Sequence, residues 1–448
     1  TAAAGVPSPA PVASAGRRFA INVASLGSVN LANMLLPLLT VPYLVRIIGP
    51  ERLGLLNFSQ AYIGYFTLLI NYGFEISAVR AIAGQRHNQA HTNQIFSQVM
   101  VGKGLLWALS TVVFGFVTFT VPSFREHAWL HICTYLSCMG TVLFPIWLYQ
   151  AMEDLGRVAV FNFAVKLLFS ISIFALVRHA EDYVYQNLSL SVAQVLISVI
   201  ALRSAIKRFN IKFAWPSRGH LLLRFRSDST LFFSSVMITL YATSNVFLLG
   251  LMSTPHSVGI FSAGIRLESI ARSFVSLALN QAFFPIAARA FGVSREEGLQ
   301  LMQRVFVPLL LFLGLISLFL WLIAPIFITG FYGHAFVAAI PVLRVAALLT
   351  VTIGISNLLG FHVMLNLRMD KAFFVITSVG SVIGIGLNFL LVRKHAELGS
   401  TYAWVITESY ITLAMYAYLR FRGVRIWRRE AVAEGFQLGA LELRKLFS

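Results

Sequence analysis

The sequence predicts an all-α integral membrane protein of about twelve transmembrane helices, in two six-helix lobes related by a pseudo-two-fold axis along the membrane normal. Three observations lead there. Of 448 residues, 58% are hydrophobic and only 12% charged, with mean hydropathy +0.77, whereas soluble domains are about one-quarter charged. Apolar runs long enough to cross a hydrocarbon core about 30 Å thick recur along the chain, separated by short polar breaks. The third observation is an echo: VPYLVRIIGPERLGLLNFSQAY at 41–62 has a worn copy in LMSTPHSVGIFSAGIRLES at 251–269.

The opening PSPAPVASAG has neither periodicity nor bulk, so residues 1–18 are expected to form a disordered tail. The first apolar run follows Arg17 and Arg18 and extends to about residue 47, too long for the apolar region of a cleavable signal. It is expected to remain as the first membrane helix. Apolar runs bounded by charge or by Gly and Pro then place helices near 19–47, 53–81, 95–121, 128–151, 158–178, 183–203, 229–252, 257–288, 301–329, 337–365, 372–393 and 397–420. The expected organisation is an N-lobe at 19–203, a basic linker at 204–228, a C-lobe at 229–420 and a basic tail at 421–448.

Alternate connections differ in basic charge. One set, from Arg17 and Arg18 through Arg203–Arg226 to Arg420 and the tail, holds 24 of the 35 Lys and Arg; the opposite set holds six: Arg46, Arg52, Arg125, Arg178, Arg393 and Lys394. Because basic loops stay in the cytoplasm, both termini are expected there. This asymmetry accounts for most of the formal net charge of +18, so nucleic acid is not an expected partner. The tail after Arg420 is instead expected to touch anionic lipid headgroups. Cys133 and Cys138 lie in one apolar run and read as buried thiols, not as a disulfide framework or a zinc site.

Aligning Pro50 with Pro255 also aligns Gly54 with Gly259, and Leu53, Leu55 and Leu56 with Val258, Ile260 and Phe261, at an offset close to half the chain. Each copy falls at the outward turn between the first and second helix of its half. There a proline can start a helix and a glycine permits close approach. An even-numbered repeat keeps its orientation, hence the axis along the normal.

Eight charged residues fall well inside predicted helices, away from their ends: Lys103, Lys166, Arg266, Arg272 and Arg344, with Glu75, Glu268 and Glu408. Each is costly at a helix centre, by roughly 2.5 to 3.5 kcal/mol on insertion scales, so each is expected to face a cavity or a partner, or to snorkel outward. Glu268 and Arg272 are four apart and are expected to pair. Five cations against three acids suit an anionic ligand, and guanidinium groups bind phosphates through several donors at once. The five cations are therefore the candidate substrate-binding residues; Glu75, Glu268 and Glu408 are the candidate coupling or cavity acids. His87 with His91 and His127 with His131 have helical metal-ligand spacing but no nearby carboxylate or thiol in register, so neither metal nor cofactor is expected. Gly380 and Gly384 mark a face for close helix packing. No nucleotide-binding, nucleophile-elbow or other catalytic motif is present in the sequence.

The stretch FPIWLYQAMEDLGRVAVFNFAVKLLFSISIFALVRHAEDY at 144–183 resembles the Wzx family of polysaccharide flippases through Pro145, Trp147, Gln150, Glu153, Asn162, Lys166, Val177, Asp182 and Tyr183. Pro42, Tyr43, Arg46, Gly49, Pro50 and Gly54 are similar to the family's opening signature, and IPVLRVAALL at 340–349 and LGSTYAWVITES at 398–409, with Arg344 and Glu408, to later segments. The resemblance implies the twelve-helix fold of the multidrug/oligosaccharidyl-lipid/polysaccharide exporter superfamily, like that of the MATE transporters, with two lobes around a basic cavity. It also implies movement of undecaprenyl-pyrophosphate-linked oligosaccharide repeat units, such as O-antigen or capsule, to the periplasmic leaflet of the bacterial inner membrane. Membrane lipids and other polysaccharide-assembly membrane proteins are the further partners it implies. One position departs: where the family pattern has an acidic-basic pair, this chain has Ile265 and Arg266, with Glu268 the nearest acid, so the resemblance carries no coupling role to that acid. Two other functions compete. A MATE-like drug or cation antiporter should have an acid-dominated cavity, and a membrane polymerase or ligase should carry a large external loop; neither feature is in this sequence.

Overall fold

The computed structural model describes residues 12–242, 244–279 and 283–427, and every regular element among them is helical. Helix α1 (Val12–Asn71) is two membrane legs joined at Gly49, whose φ of 73° and ψ of 177° break the helix; α2 (Phe74–Ala83) continues the second leg after a turn at Tyr72 and Gly73. Next come α3 (Gln89–Thr120), the single turn α4 (Pro122–Arg125), α5 (Ala128–Leu143) with α6 (Ile146–Ala151), α7 (Leu155–Leu176) and α8 (Val184–Arg208). The later part comprises α9 (Arg218–Ala242) with α10 (Ser244–Met252), α11 (Pro255–Ala278), α12 (Phe284–Val293), α13 (Arg295–Phe327), α14 (Ala339–Asn357) and α15 (Asp370–Phe421). At 1.5 Å per residue, the 52 residues of α15 exceed any bilayer as one rod. Ala396, with φ 44° and ψ −118°, divides it into two legs. Among the described residues, eight continuous helical stretches are long and apolar enough to cross a membrane.

The chain forms two compact units, one of Thr1–Ile47 with Ile63–Phe233 and the other of Ile48–Tyr62 with Ser234–Ser448. In the first, Phe74, Phe96, Trp147, Leu148, Tyr149 and Ala201 form the centre of a buried cluster. In the second, Leu313, Leu358, Met364, Ile411 and Met415 do so. Leu311, Leu315, Leu318 and Leu322 are exposed at helical spacing along α13, the stripe that a lipid-facing helix needs. Gly380 and Gly384 allow the two legs of α15 to touch: a Cβ there would lie 2.6 Å from Ile411 and 3.0 Å from Thr407.

Three boundaries differ from the sequence expectation. Helix α1 begins at Val12, directly after the last of three closely spaced prolines, so residues 12–18 are helix, while residues 1–11 of the expected tail lie outside the described residues. Most of the expected linker is helical too: α8 runs to Arg208 and α9 starts at Arg218, leaving 209–217 as the connection. Of the basic tail, 428–448 lie outside the described residues; 422–427 turn at Gly423 (φ 74°) and bury Val424 and Ile426, with Gln303 donating to the Arg425 carbonyl. The start of the tail is therefore packed against protein rather than left to lipid. Cys133 and Cys138 are free and buried, as expected.

The sequence echo has a physical counterpart inside the second unit. Pro50 opens a helical leg after Gly49, and Pro255 opens α11 behind the Thr254 N-cap, whose side chain accepts from Ser257 N. The two openings meet reciprocally. A Cβ on Gly54 would lie 1.7 Å from the Pro255 carbonyl oxygen, and one on Gly259 would lie 1.8 Å from the Pro50 carbonyl oxygen. Both obstacles are backbone atoms, so no side-chain rotation relieves them. Gly54→Ala and Gly259→Ala are each expected to cost about 1–3 kcal/mol as overpacking, read as a lower thermal midpoint of the detergent-purified protein. Gly64→Ala, where nothing lies within 4 Å of the added carbon, should leave the midpoint unchanged or raise it.

Candidate functional site

In the first unit the break at Tyr72 and Gly73 restarts the helix so that Glu75 stands in the first turn of α2. Lys103 meets it from the middle of α3. The ammonium lies 3.3 Å from Glu75 Oε1 and donates to the Thr141 carbonyl at 3.4 Å. The Lys103 side chain is 0% exposed and that of Glu75 37%, so the lysine does not snorkel. Its charge is balanced by a carboxylate that itself keeps a partly open face. Lys166 is half-buried on α7. At the loops beyond the spans, Arg86 Nη2 lies 2.7 Å from Glu153 Oε1, and this guanidinium holds the Glu153 carboxyl below its usual range.

In the second unit the pair expected from four-residue spacing forms on α11. Arg272 Nε is 3.1 and 3.3 Å from the two oxygens of Glu268, a fully buried carboxylate that also accepts from Thr350 Oγ1 at 3.4 Å. The Arg272 guanidinium sits 5.4 Å from the centroid of the Trp404 ring. Arg266 is exposed; two residues before Glu268 it is about 200° round the helix, on the opposite face. Arg344, on α14, lies 4.6 Å over the Trp321 ring and is half-buried. Glu408 is buried in the second leg of α15, where its carbonyl accepts from Thr412 Oγ1 at 2.8 Å. The structure thus brings together Lys103 with Glu75 and Arg272 with Glu268, but turns Arg266 away from Glu268 and seats Arg344 on an aromatic face.

Two polar networks escape a reading of the sequence alone. In the second unit Asn388 Nδ2 donates to Asn245 Oδ1 at 2.9 Å, and Ser400 Oγ donates to Asn388 Oδ1 at 2.9 Å. Beside them Ser244, Asn245, Ser381, Asn388, Trp404 and Thr407 line a small cleft. Trp404 Nε1 is buried there without an acceptor. A lone amide in each of two apolar runs, SNVFLLGLM and GIGLNFLLV, was the available signal. In the first unit, Arg224 and Asp228 of α9 form a nearly buried ion pair at 2.9 Å. Ser77 of α2 accepts from Arg224 Nη2 and donates to Asp228 Oδ2, both at 2.6 Å. Among the described residues no three His, Cys, Asp or Glu side chains gather as metal donors.

A family model described as polysaccharide biosynthesis protein matches residues 19–291. A proposed O-antigen transporter of Escherichia coli (strain K12) is 29% identical over 399 residues, covering 89% of this chain and 96% of that protein. Another, from Shigella dysenteriae, is 24% identical over 88% of this chain and 98% of its own. Among solved structures, the lipid II flippase MurJ in an inward closed conformation superposes with TM-score 0.66 at 12% identity, over 94% of this chain and 92% of that one. An inward-facing multidrug resistance MATE family transporter of the MOP superfamily gives 0.61 at 16% identity, over 88% and 93%. At such identities the likeness establishes the fold alone: this chain shares the helical fold of those two transporters.

Removing one member of the Lys103–Glu75 pair strands the other charge. Glu75→Gln alone is expected to cost of the order of 3 kcal/mol, and Lys103→Met with Glu75→Gln together much less than the sum of the single changes. Thermal unfolding of the purified variants in a double-mutant cycle checks this.

Proposed function

The chain belongs to the polysaccharide biosynthesis protein family, and on that premise we propose that it is a flippase that carries undecaprenyl-pyrophosphate-linked oligosaccharide repeat units from the cytoplasmic to the periplasmic leaflet. It is a multi-pass membrane transporter and not an enzyme. Kinship along nearly the whole chain with proteins named for O-antigen transport is the observation that carries the reading. The charge of the spans supports it. An organic cation would be opposed by five intramembrane cations against three acids, whereas a pyrophosphate would be welcomed.

Orientation follows from the basic connections: both termini lie in the cytoplasm of a bacterial cell, and the protein resides in its inner membrane. Arg266, exposed on α11, is the leading headgroup ligand, with Lys166, Arg272 and Arg344 as further donors. Arg272 is also shared with Glu268, and Arg344 with Trp321. Lys103, enclosed with Glu75, acts by positioning α2 against α3 rather than by touching cargo. Glu268 then limits the positive charge around Arg272 when cargo is absent. Transport by alternating access requires that the two open states differ in affinity, since cargo bound equally by both shifts nothing.

A strain lacking the gene should accumulate single repeat units on the inner leaflet and lose surface polysaccharide; loss of a polymerase would still let single units appear outside. Complementation with Arg266→Ala or Lys166→Ala, inserted at the wild-type level, should lower surface polysaccharide by about tenfold each, the worth of a charge-assisted contact. Full restoration by both variants would contradict the site; absence of any stranded lipid-linked unit would contradict the function.

A further inference from the structure

The connection between α8 and α9 has a use that transport through the spans does not explain. Its backbone is laced to the start of α3. Gln89 Nε2 donates to the carbonyls of Phe209 and Asn210 at 3.0 and 3.1 Å, Lys212 N to Asn93 Oδ1 at 3.0 Å, and Ala214 N to Ser97 Oγ at 3.1 Å. What this held segment presents outward is apolar. Trp215 is 81% exposed, Leu222 69%, Leu223 65% and Phe213 49%, with exposed Lys212, Arg218 and Arg226 interleaved.

The first turns of α9 are accordingly polarised opposite to a helix in water. Arg224 and Asp228 face inward onto Ser77, while the leucines one and two positions earlier face out. Solvent would penalise that arrangement. The level at which it occurs supplies the solvent it suits: the segment lies between the last turn of α8, with Lys207 and Arg208, and the first turn of α3, where helices leave the hydrocarbon. There indole and alkyl groups enter the interface, and basic side chains meet phosphodiester charge.

We propose that residues 212–226 form a membrane-surface anchor that binds anionic lipid headgroups through Lys212, Arg218 and Arg226 and inserts Phe213, Trp215, Leu222 and Leu223 beneath them. Arg224 is withheld from the headgroups by its ion pair. Through it the anchor is tied to Ser77, four residues past the break that restarts the second membrane leg as α2. Lipid charge is chosen over a protein partner because the apolar side chains are interspersed with cations and no acidic residue lies between 212 and 226.

Hydrogen exchange of the full chain in lipid nanodiscs tests the anchor. With phosphatidylglycerol present, the amides of 213–221 should exchange more slowly than in pure phosphatidylcholine, by roughly fivefold per engaged basic side chain, and the difference should shrink as salt is added. Lys212→Gln, Arg218→Gln and Arg226→Gln together should abolish the dependence on lipid charge. Leu222→Ser with Leu223→Ser should raise exchange in both kinds of disc. Equal exchange of the wild-type segment in both discs, as for a surface awaiting a protein, overturns the proposal, as does a lipid dependence that survives loss of all three basic residues.

Discussion

A charge inside hydrocarbon must have company, and the arrangement of this protein's spans follows from how each one finds it. Lys103 is enclosed and finds Glu75 across 28 residues of sequence; Arg272 finds Glu268 one helical turn away; Arg344 finds the face of Trp321. Such pairs are weak sources of stability, because desolvation offsets most of the attraction, but they are unforgiving when halved. They also divide the labour. A lysine walled in with its counter-ion holds helices together, while Arg266, the proposed headgroup ligand, stands exposed on α11.

Breaks in the helices decide where these groups point. Tyr72 and Gly73, both at positive φ, restart the second membrane leg so that Glu75 and Ser77 leave α2 toward different neighbours, α3 and α9. Gly49 and Ala396 interrupt helices too long for one crossing. At the Gly49 turn a second requirement appears: the leg that follows lies so close to α11 that Gly54 and Gly259 each face a carbonyl of the other's opening proline. A repeat that looks worn at the level of side chains is conserved between the two halves of this one chain where backbone meets backbone.

Much of this was legible in the sequence because the bilayer imposes it. Run length gave the helical legs, four-residue spacing gave Glu268 with Arg272, and the Pro–Gly echo marked the two helix openings. What could not be read were contacts made across sequence distance and the direction in which a mixed segment faces. Asn245 and Asn388 are 143 residues apart, and neither alone says that it has a partner. RGHLLLRFRSDS reads as basic linker by charge, yet it is the start of α9, because Arg224 and Asp228 neutralise each other on its inner side. Residues 422–427 likewise read as tail, although Val424 and Ile426 are spaced to bury one edge.

On the proposed function, the spans recognise the negative charge of the cargo. Reconstituting the purified protein in vesicles with a fluorescent polyprenyl-pyrophosphate oligosaccharide, and separately with an uncharged glycoside on the same tail, compares the two directly through the dye accessible outside. The protein should move the pyrophosphate lipid faster by about tenfold or more. Equal rates for the two lipids would contradict it.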